Sequence, residues 1–254
     1  MREVTIIGSG GVAEALAKGI AANKELRLKQ IYGRNEARTK ELSRAVGCEN
    51  YPTLLAADIY IVAVSDRAIE ELTQKFSFPT HSIVVHTAGS VAMEAIAHPR
   101  RGVLYPLQSF TAGREVDTTT VPFFVEGSTP EITAEIEEIA QALSQNVMRM
   151  ESEGRKKLHL CGVFASNFTN AIYASAAQIA QSAQIPFALL KPLILETCHK
   201  ALSVEDPRTV QTGPAVRGDK ETQNKHLEML KKDENLEKIY KILSKQIWET
   251  SKKM

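Results

Sequence analysis

The stretch Val4-Thr5-Ile6-Ile7-Gly8-Ser9-Gly10-Gly11-Val12-Ala13 runs an apolar strand straight into a glycine turn. Gly8, Gly10 and Ala13 fill the three small-residue positions of a G-x-G-x-x-G/A fingerprint. In that pattern the first glycine allows a tight turn and the second lets backbone approach a pyrophosphate. The small third residue lets helix pack on strand. Good helix formers follow through Ile20, with an apolar stripe at Val12, Ala15, Leu16 and Ile20. The spacing predicts a helix whose free N–H groups and positive dipole end face a bound diphosphate. A plain glycine loop is the rival reading.

Outward from this turn, strand-like and helix-like segments alternate. Leu28 to Gly33 reads as a second strand and Glu36 to Val46 as a helix. Ile59 to Val64 is apolar nearly throughout, as expected of a strand covered on both faces. Arg67 to Phe76 predicts a helix, Ser82 to Thr87 a strand and Val91 to Ala97 a helical turn. Gly102–Tyr105 and Val121–Val125 read as further strands. The alternation predicts an α/β fold with a doubly wound parallel sheet. Thr129 and Pro130 then open a helix with Ile132, Ile136, Ile139 and Leu143 on its buried face. Past about residue 150 strand signals cease. Glu153–Ala183 reads as one long helix, Phe187–Leu202 as a second and Asn235–Thr250 as a last one. Two domains are expected, an α/β dinucleotide-binding domain over 1–150 and an all-helical domain over 151–254.

Composition excludes several classes. With 31 basic against 30 acidic residues, no global field recruits nucleic acid or an anionic membrane. No apolar run approaches the ~18 residues of a membrane span, and no signal-peptide pattern precedes the first strand. Cys48, Cys161 and Cys198 form no C-x-x-C pair, so no metal site is expected. Free thiols and a cytoplasmic location are the expectation.

The second strand ends Tyr32-Gly33-Arg34-Asn35, where the NAD form of this site would carry an acid. Arg34, with Arg38 a turn later, suits a 2′-phosphate, so NADP(H) is the expected cofactor, with Arg34 and Asn35 beside it. A solvated Arg34, with Glu36 supplying the acid one position late, is the alternative. Ligands of such sheets bind beyond the strand ends, here Ser65-Asp66, Thr87-Ala88-Gly89-Ser90 and Pro106-Leu107-Gln108-Ser109. Gln108 could offer its amide to a substrate carbonyl or carboxylate. On the long helix His159, Val163, Asn167 and Asn170 recur at helical spacing, placing one imidazole and two carboxamides on one face. His159 is the candidate for proton exchange, a hydrogen-bonded structural histidine being the rival. Gln211 to Asp219 reads as a binding loop with Arg217 able to clamp a carboxylate, or as an interhelical linker. No Tyr-x-x-x-Lys pair and no strand-borne Gly-x-Ser-x-Gly occurs, which excludes two common catalytic arrangements.

Together GSGGVA, HTAGS, YPLQSF, HLCGVFASNFTN and QTGPAVRGD resemble one bacterial family across nearly the whole chain. Its members carry a Rossmann-like domain and a helical domain of unassigned function, and are usually labelled NADP- or coenzyme F420-dependent oxidoreductases. More distantly the chain is similar to pyrroline-carboxylate reductases and beta-hydroxyacid dehydrogenases, whose helical domain commonly forms a dimer. The resemblance implies that Ser9, Gly10, Gly11, Val12, Arg34, Ala63, Val64, Ser65, Thr87, Ala88 and Gly89 contact cofactor. It also implies a substrate pocket near His159, Asn167 and Asn170. The hydroxyacid enzymes carry a lysine four residues before an asparagine on this helix. Val163 and Ser166 stand at those positions here, so that mechanism does not carry over.

The expected function is an NADP(H)-dependent oxidoreductase moving a hydride to or from a small carbonyl or imine, as a homodimer built through the helical domain. His159 would exchange the proton, Asn167 and Asn170 orient the acceptor, and Gln108 or Arg217 hold an anionic group. A non-catalytic NADP-binding sensor or partner-binding protein is the alternative, and a deazaflavin in place of nicotinamide a further one.

Overall fold

The computed structural model describes residues 1–252; the last two positions of the expected second domain lie outside the described residues. Seven strands form one sheet: β1 (Arg2–Ile7), β2 (Leu26–Tyr32), β3 (Ile59–Val62), β4 (Ile83–His86), β5 (Arg101–Pro106), β6 (Phe123–Gly127) and β7 (Val147–Arg149). Their order is β2-β1-β3-β4-β5-β6-β7. Every neighbouring pair is parallel except β5 with β6. The expected doubly wound parallel sheet is present, with this as its one antiparallel pair. Residues 107–122 hold only a 3₁₀ turn, Thr118–Thr120, and a parallel return needs a longer crossover, usually a helix. The edge strand β7, with Met148 and Arg149 exposed, is too short to show a period in sequence.

The strands alternate their side chains between two cores. Val4, Ile6, Ile59 and Ile61 pack with α1 (Gly11–Ala21), α2 (Glu36–Val46) and α4 (Pro130–Gln141). Ile7, Tyr60, Val62 and Val84 pack on the other face with Ile69 of α3 (Ile69–Lys75). Burial on both faces is why these strands read as continuous apolar runs. A third cluster joins Val103, Tyr105 and Phe124 to Leu158 of α5 (Ser152–Gly162).

The chain divides into two compact units, residues 1 to 168 and Thr169 onward. The division falls after α5, whose packing on β5 and β6 groups it with the sheet, and not at residue 150. The expected single helix over 153–183 is interrupted: a π-helical segment, Val163–Phe168, ends the first unit. The second unit contains α6 (Thr169–Ser182), α7 (Lys191–Leu202), α8 (Lys220–Leu230) and α9 (Glu234–Ser251). Asp233 caps α9 through the Leu236 N–H (3.0 Å) and accepts from Gln178 of α6 (2.8 Å). Among the described residues this unit buries only Ala180, Ala215, Gln223 and Leu236. No helix of the described residues is long and apolar enough to cross a membrane.

Candidate active site

Gly8 ends β1 with φ +138°, and a Cβ there would lie 2.1 Å from the Ala63 carbonyl oxygen. Only glycine fits, so the β1 turn and the end of β3 meet backbone to backbone. At Gly10 a Cβ would meet nothing within 4 Å, and no side chain caps the start of α1. Among the described residues no side chain accepts from the first N–H groups of this helix, and the space beside Gly10 is open. That space is a cleft of about 580 Å³, within the usual size of a ligand site.

Gly8, Ser9, Gly10, Gly11, Val12, Arg34, Asn35, Ala63, Val64, Ser65 and Thr87 all line this cleft. Ala88 and Gly89 continue from Thr87 and are not among the described residues lining it: the Ala88 N–H donates to His86 Nδ1 (3.2 Å), and Gly89 backs onto His159. Arg34 is exposed and lines the cleft, whereas Glu36 is not among the described residues lining it. Arg38 is committed elsewhere. Its guanidinium pairs with Glu14 of α1 and with Glu41 (2.6 Å), and Glu14 also accepts from Lys18 (2.9 Å) and the Gly113 N–H (3.0 Å). Burial opposes the Glu14 charge, but these donors and cations outweigh it and hold its carboxyl below the usual range. Lys75 at the end of α3, Phe76 just after it and Phe110 also line it. Sequence reasoning missed them, since α3 reads only as a sheet-covering helix. Tyr32 against Phe76, rings 5.6 Å apart edge-on, is the local reason α3 borders the cleft.

A second polar group stands past the ends of β4 and β5. Tyr105 Oη lies 3.1 Å from His159 Nδ1, and both rings rest on Gly89. A Cβ at Gly89 would lie 2.6 Å from Nδ1 and 2.8 Å from Tyr105 Cζ. Tyr105 is buried, which pushes its phenol up, while His159 is half-buried. Helix α5 is fastened one turn before His159. The buried Arg155 pairs with Glu126 of β6, bonds the Val91 carbonyl and reaches Ser152 Oγ (3.1 Å). Glu126 also accepts from the Ser152 N–H (3.0 Å) and hydroxyl (2.8 Å) at the helix start. His86, fully buried, spans the intervening loop between the Ala88 N–H and the Ala92 carbonyl (3.3 Å). Burial, and next the charge of Arg155, lowers its pKa to about 4.

The other candidates are less engaged. Asn167 is exposed within the π-helical segment, where a 3.6-residue phase does not continue, so the shared face expected for His159 and Asn167 is not given by spacing. Gln108 is exposed and accepts from the Ser109 N–H (2.8 Å). In the second unit Asn170 and Arg217 are exposed. The loop bearing Arg217 closes on itself through Asp219 N–H to the Pro214 carbonyl (3.0 Å), and Asp219 caps α8 through Thr222 (3.0 Å). Among the described residues no cluster of three His, Cys, Asp or Glu could hold a metal.

Residues 3–89 match the family model described as NADP oxidoreductase coenzyme F420-dependent, and residues 121–247 match the domain of unknown function DUF2520. A Bacteroides fragilis protein, provisionally named an NADP oxidoreductase, is 39% identical over 98% of both chains, with TM-score 0.90. The chain belongs to the DUF2520-bearing NADP oxidoreductase family. Within this family of NAD(P)-dependent oxidoreductases, the expectations of fold class and of NADP(H) as cofactor hold. Two remoter structures share the fold. A pyrroline-5-carboxylate reductase of Streptococcus pyogenes has 13% identity, TM-score 0.63, and 100% and 99% coverage of this chain and its own. An imine reductase of Myxococcus stipitatus, solved with NADP+, has 13% identity, TM-score 0.64, and 99% and 93% coverage. No curated protein matches the chain in sequence.

Proposed function

We propose that this family member transfers a hydride between NADP(H) and a small carbonyl or imine. The observation that carries the reading is the juxtaposition in one unit of the glycine-turn cleft with an imidazole seated on the backbone that leaves it at Thr87. The open space at Gly10 and the start of α1 without a side-chain cap fit a diphosphate, and Arg34, without an ion-pair partner among the described residues, fits a 2′-phosphate. Bound there, the cofactor supplies or accepts the hydride. Ser9, Gly10, Gly11 and Val12 hold the diphosphate; Ala63, Val64, Ser65 and Thr87 bring close backbone to the nucleoside halves. Ala88 and Gly89 carry the chain from this cleft to His159, which exchanges the proton at the acceptor heteroatom. The carboxamides of Asn167, Asn170 and Gln108 and the guanidinium of Arg217 suit an acceptor with an oxygen or an anionic group, and these roles rest on their chemistry alone. The carbonyl-or-imine class draws on the imine reductase and pyrroline-5-carboxylate reductase that share the fold.

His159→Ala is expected to lower turnover about a hundredfold while NADPH affinity stays unchanged. Following NADPH absorbance across a panel of ketoacids, imines and aldehydes measures the first, and titration calorimetry the second. Unchanged turnover would remove His159 from the chemistry. NADPH binding with no turnover of any acceptor class would favour a cofactor sensor.

The second unit exposes Leu189, Leu193, Leu195, Leu202 and Ile242, more apolar surface than a free helical unit of this size usually leaves in water. We propose a homodimer built through this unit. The free thiols Cys48, Cys161 and Cys198 accord with a reducing, cytoplasmic setting.

A further inference from the structure

Resting on the proposed proton exchange at His159, we infer that Tyr105 is its positioning residue, tying Nδ1 so that the ring exchanges protons only through Nε2. An imidazole presents two nitrogens, and which of them is free is set by the bond the other makes. Here Tyr105 Oη stands 3.1 Å from Nδ1 and the rings meet edge-on, centroids 6.1 Å apart. The phenol is held from both sides. It projects from β5, its ring packs near Phe124 (6.4 Å), and it is 7% exposed. Gly89 closes the gap below: no side chain could stand there without parting the pair. A phenolic oxygen both donates and accepts, so one fixed hydroxyl satisfies Nδ1 whether or not that nitrogen carries a proton. Burial raises the Tyr105 phenol, so its own proton stays in place.

In the reducing direction the bound cofactor would supply a hydride to the acceptor carbon, and the π pair of the C=O or C=N bond would move to the heteroatom. The heteroatom takes the proton from Nε2, whose N–H pair remains on the ring. His159 enters doubly protonated and leaves neutral, with the Nδ1 proton donated to Tyr105 Oη throughout. Without Tyr105 nothing ties Nδ1 and the ring can turn, so a smaller fraction of molecules presents Nε2 to the acceptor.

Tyr105→Phe keeps the ring and deletes this bond. We expect a roughly tenfold or greater loss of kcat, with the acceptor KM and NADPH affinity within twofold of wild type. In a His159→Ala background the same change should cost nothing further, whereas a merely structural Tyr105 would give losses that multiply. Heteronuclear NMR of ring-labelled histidine in the NADP-loaded protein reads the bond without turnover: the Nδ1 resonance of His159 should change in Tyr105→Phe. Gly89→Ala, which keeps both side chains but separates them, should reproduce the NMR change. Multiplying losses, or an Nδ1 resonance indifferent to Tyr105→Phe, would overturn the inference. If wild type binds NADPH yet reduces no acceptor, the proposed function fails, and the NMR result still decides the pairing.

Discussion

Arg34 and His86 show what a single residue does here and how far each was legible. The place of Arg34 in the cleft could be read directly, because the glycine turn fixes where the second strand ends, and a guanidinium there suits a 2′-phosphate. Arg34→Ala should weaken NADPH binding by about 1.5–3 kcal/mol, roughly ten- to hundredfold in Kd, and leave NADH binding unchanged. Fluorescence titration with both cofactors measures this, and equal losses would place Arg34 away from the 2′-phosphate. Arg38 looked equivalent from its spacing, but Glu14 and Glu41 already occupy it, and pairing across two helices leaves no periodic trace. His86 likewise reads as a strand residue. In the fold it is neutral with its proton on Nε2, because Nδ1 accepts from the Ala88 N–H and Nε2 meets a carbonyl. With a folded pKa near 4 against 6.5 unfolded, the unfolded chain binds the extra proton first as pH falls. The contribution of His86 to stability is therefore complete above pH 6.5 and is lost between 6.5 and 4, by ~3 kcal/mol at most. Urea midpoints at neutral pH and near pH 4.5 should differ by less in His86→Gln than in wild type.

At the scale of elements, the placement of α5 decides whether His159 faces the strand ends at all. Its sequence, Ser152 to Gly162, reads as an exposed charged helix, and nothing local says that Arg155 is buried. The reason lies 29 residues upstream at Glu126, which takes the Ser152 N–H and hydroxyl and the guanidinium together. The sheet strands behaved oppositely: β3 and β4, buried on both faces, announce themselves as apolar runs, whereas the direction of β6 escaped because it is set by the connection, and the short exposed edge strand β7 escaped altogether. Glu126→Gln leaves a buried guanidinium without its counter-charge, at a cost of about 3–5 kcal/mol. Chemical denaturation should show this loss, and turnover of the folded fraction should fall as α5 loosens. Replacing Arg155 and Glu126 together by Met and Gln should recover part of the stability, since the charge left alone is the costly state. A Glu126→Gln loss below about 1 kcal/mol would mean the pair is screened by water.

The whole molecule divides its labour unevenly. All three hydrophobic clusters lie in the first unit, which has a complete core of its own, whereas the second leaves Leu189 69%, Leu193 62% and Leu202 84% exposed. Single exposed leucines are ordinary on a protein surface; several on consecutive helices of one small unit are not. A second copy of the chain is the occupant favoured here, since identical apolar faces are self-complementary about a two-fold axis and a net charge of +1 opposes association little. Sedimentation equilibrium should return twice the chain mass at micromolar concentration. Leu193→Glu with Leu202→Glu should return a monomer, because each carboxylate would be buried without a partner. The cleft and its glycine turn belong wholly to the first unit, so the monomeric variant should bind NADPH as wild type does. A wild-type monomer would leave those leucines to another partner, and a variant that lost NADPH binding along with dimerisation would show that the cleft depends on the assembly.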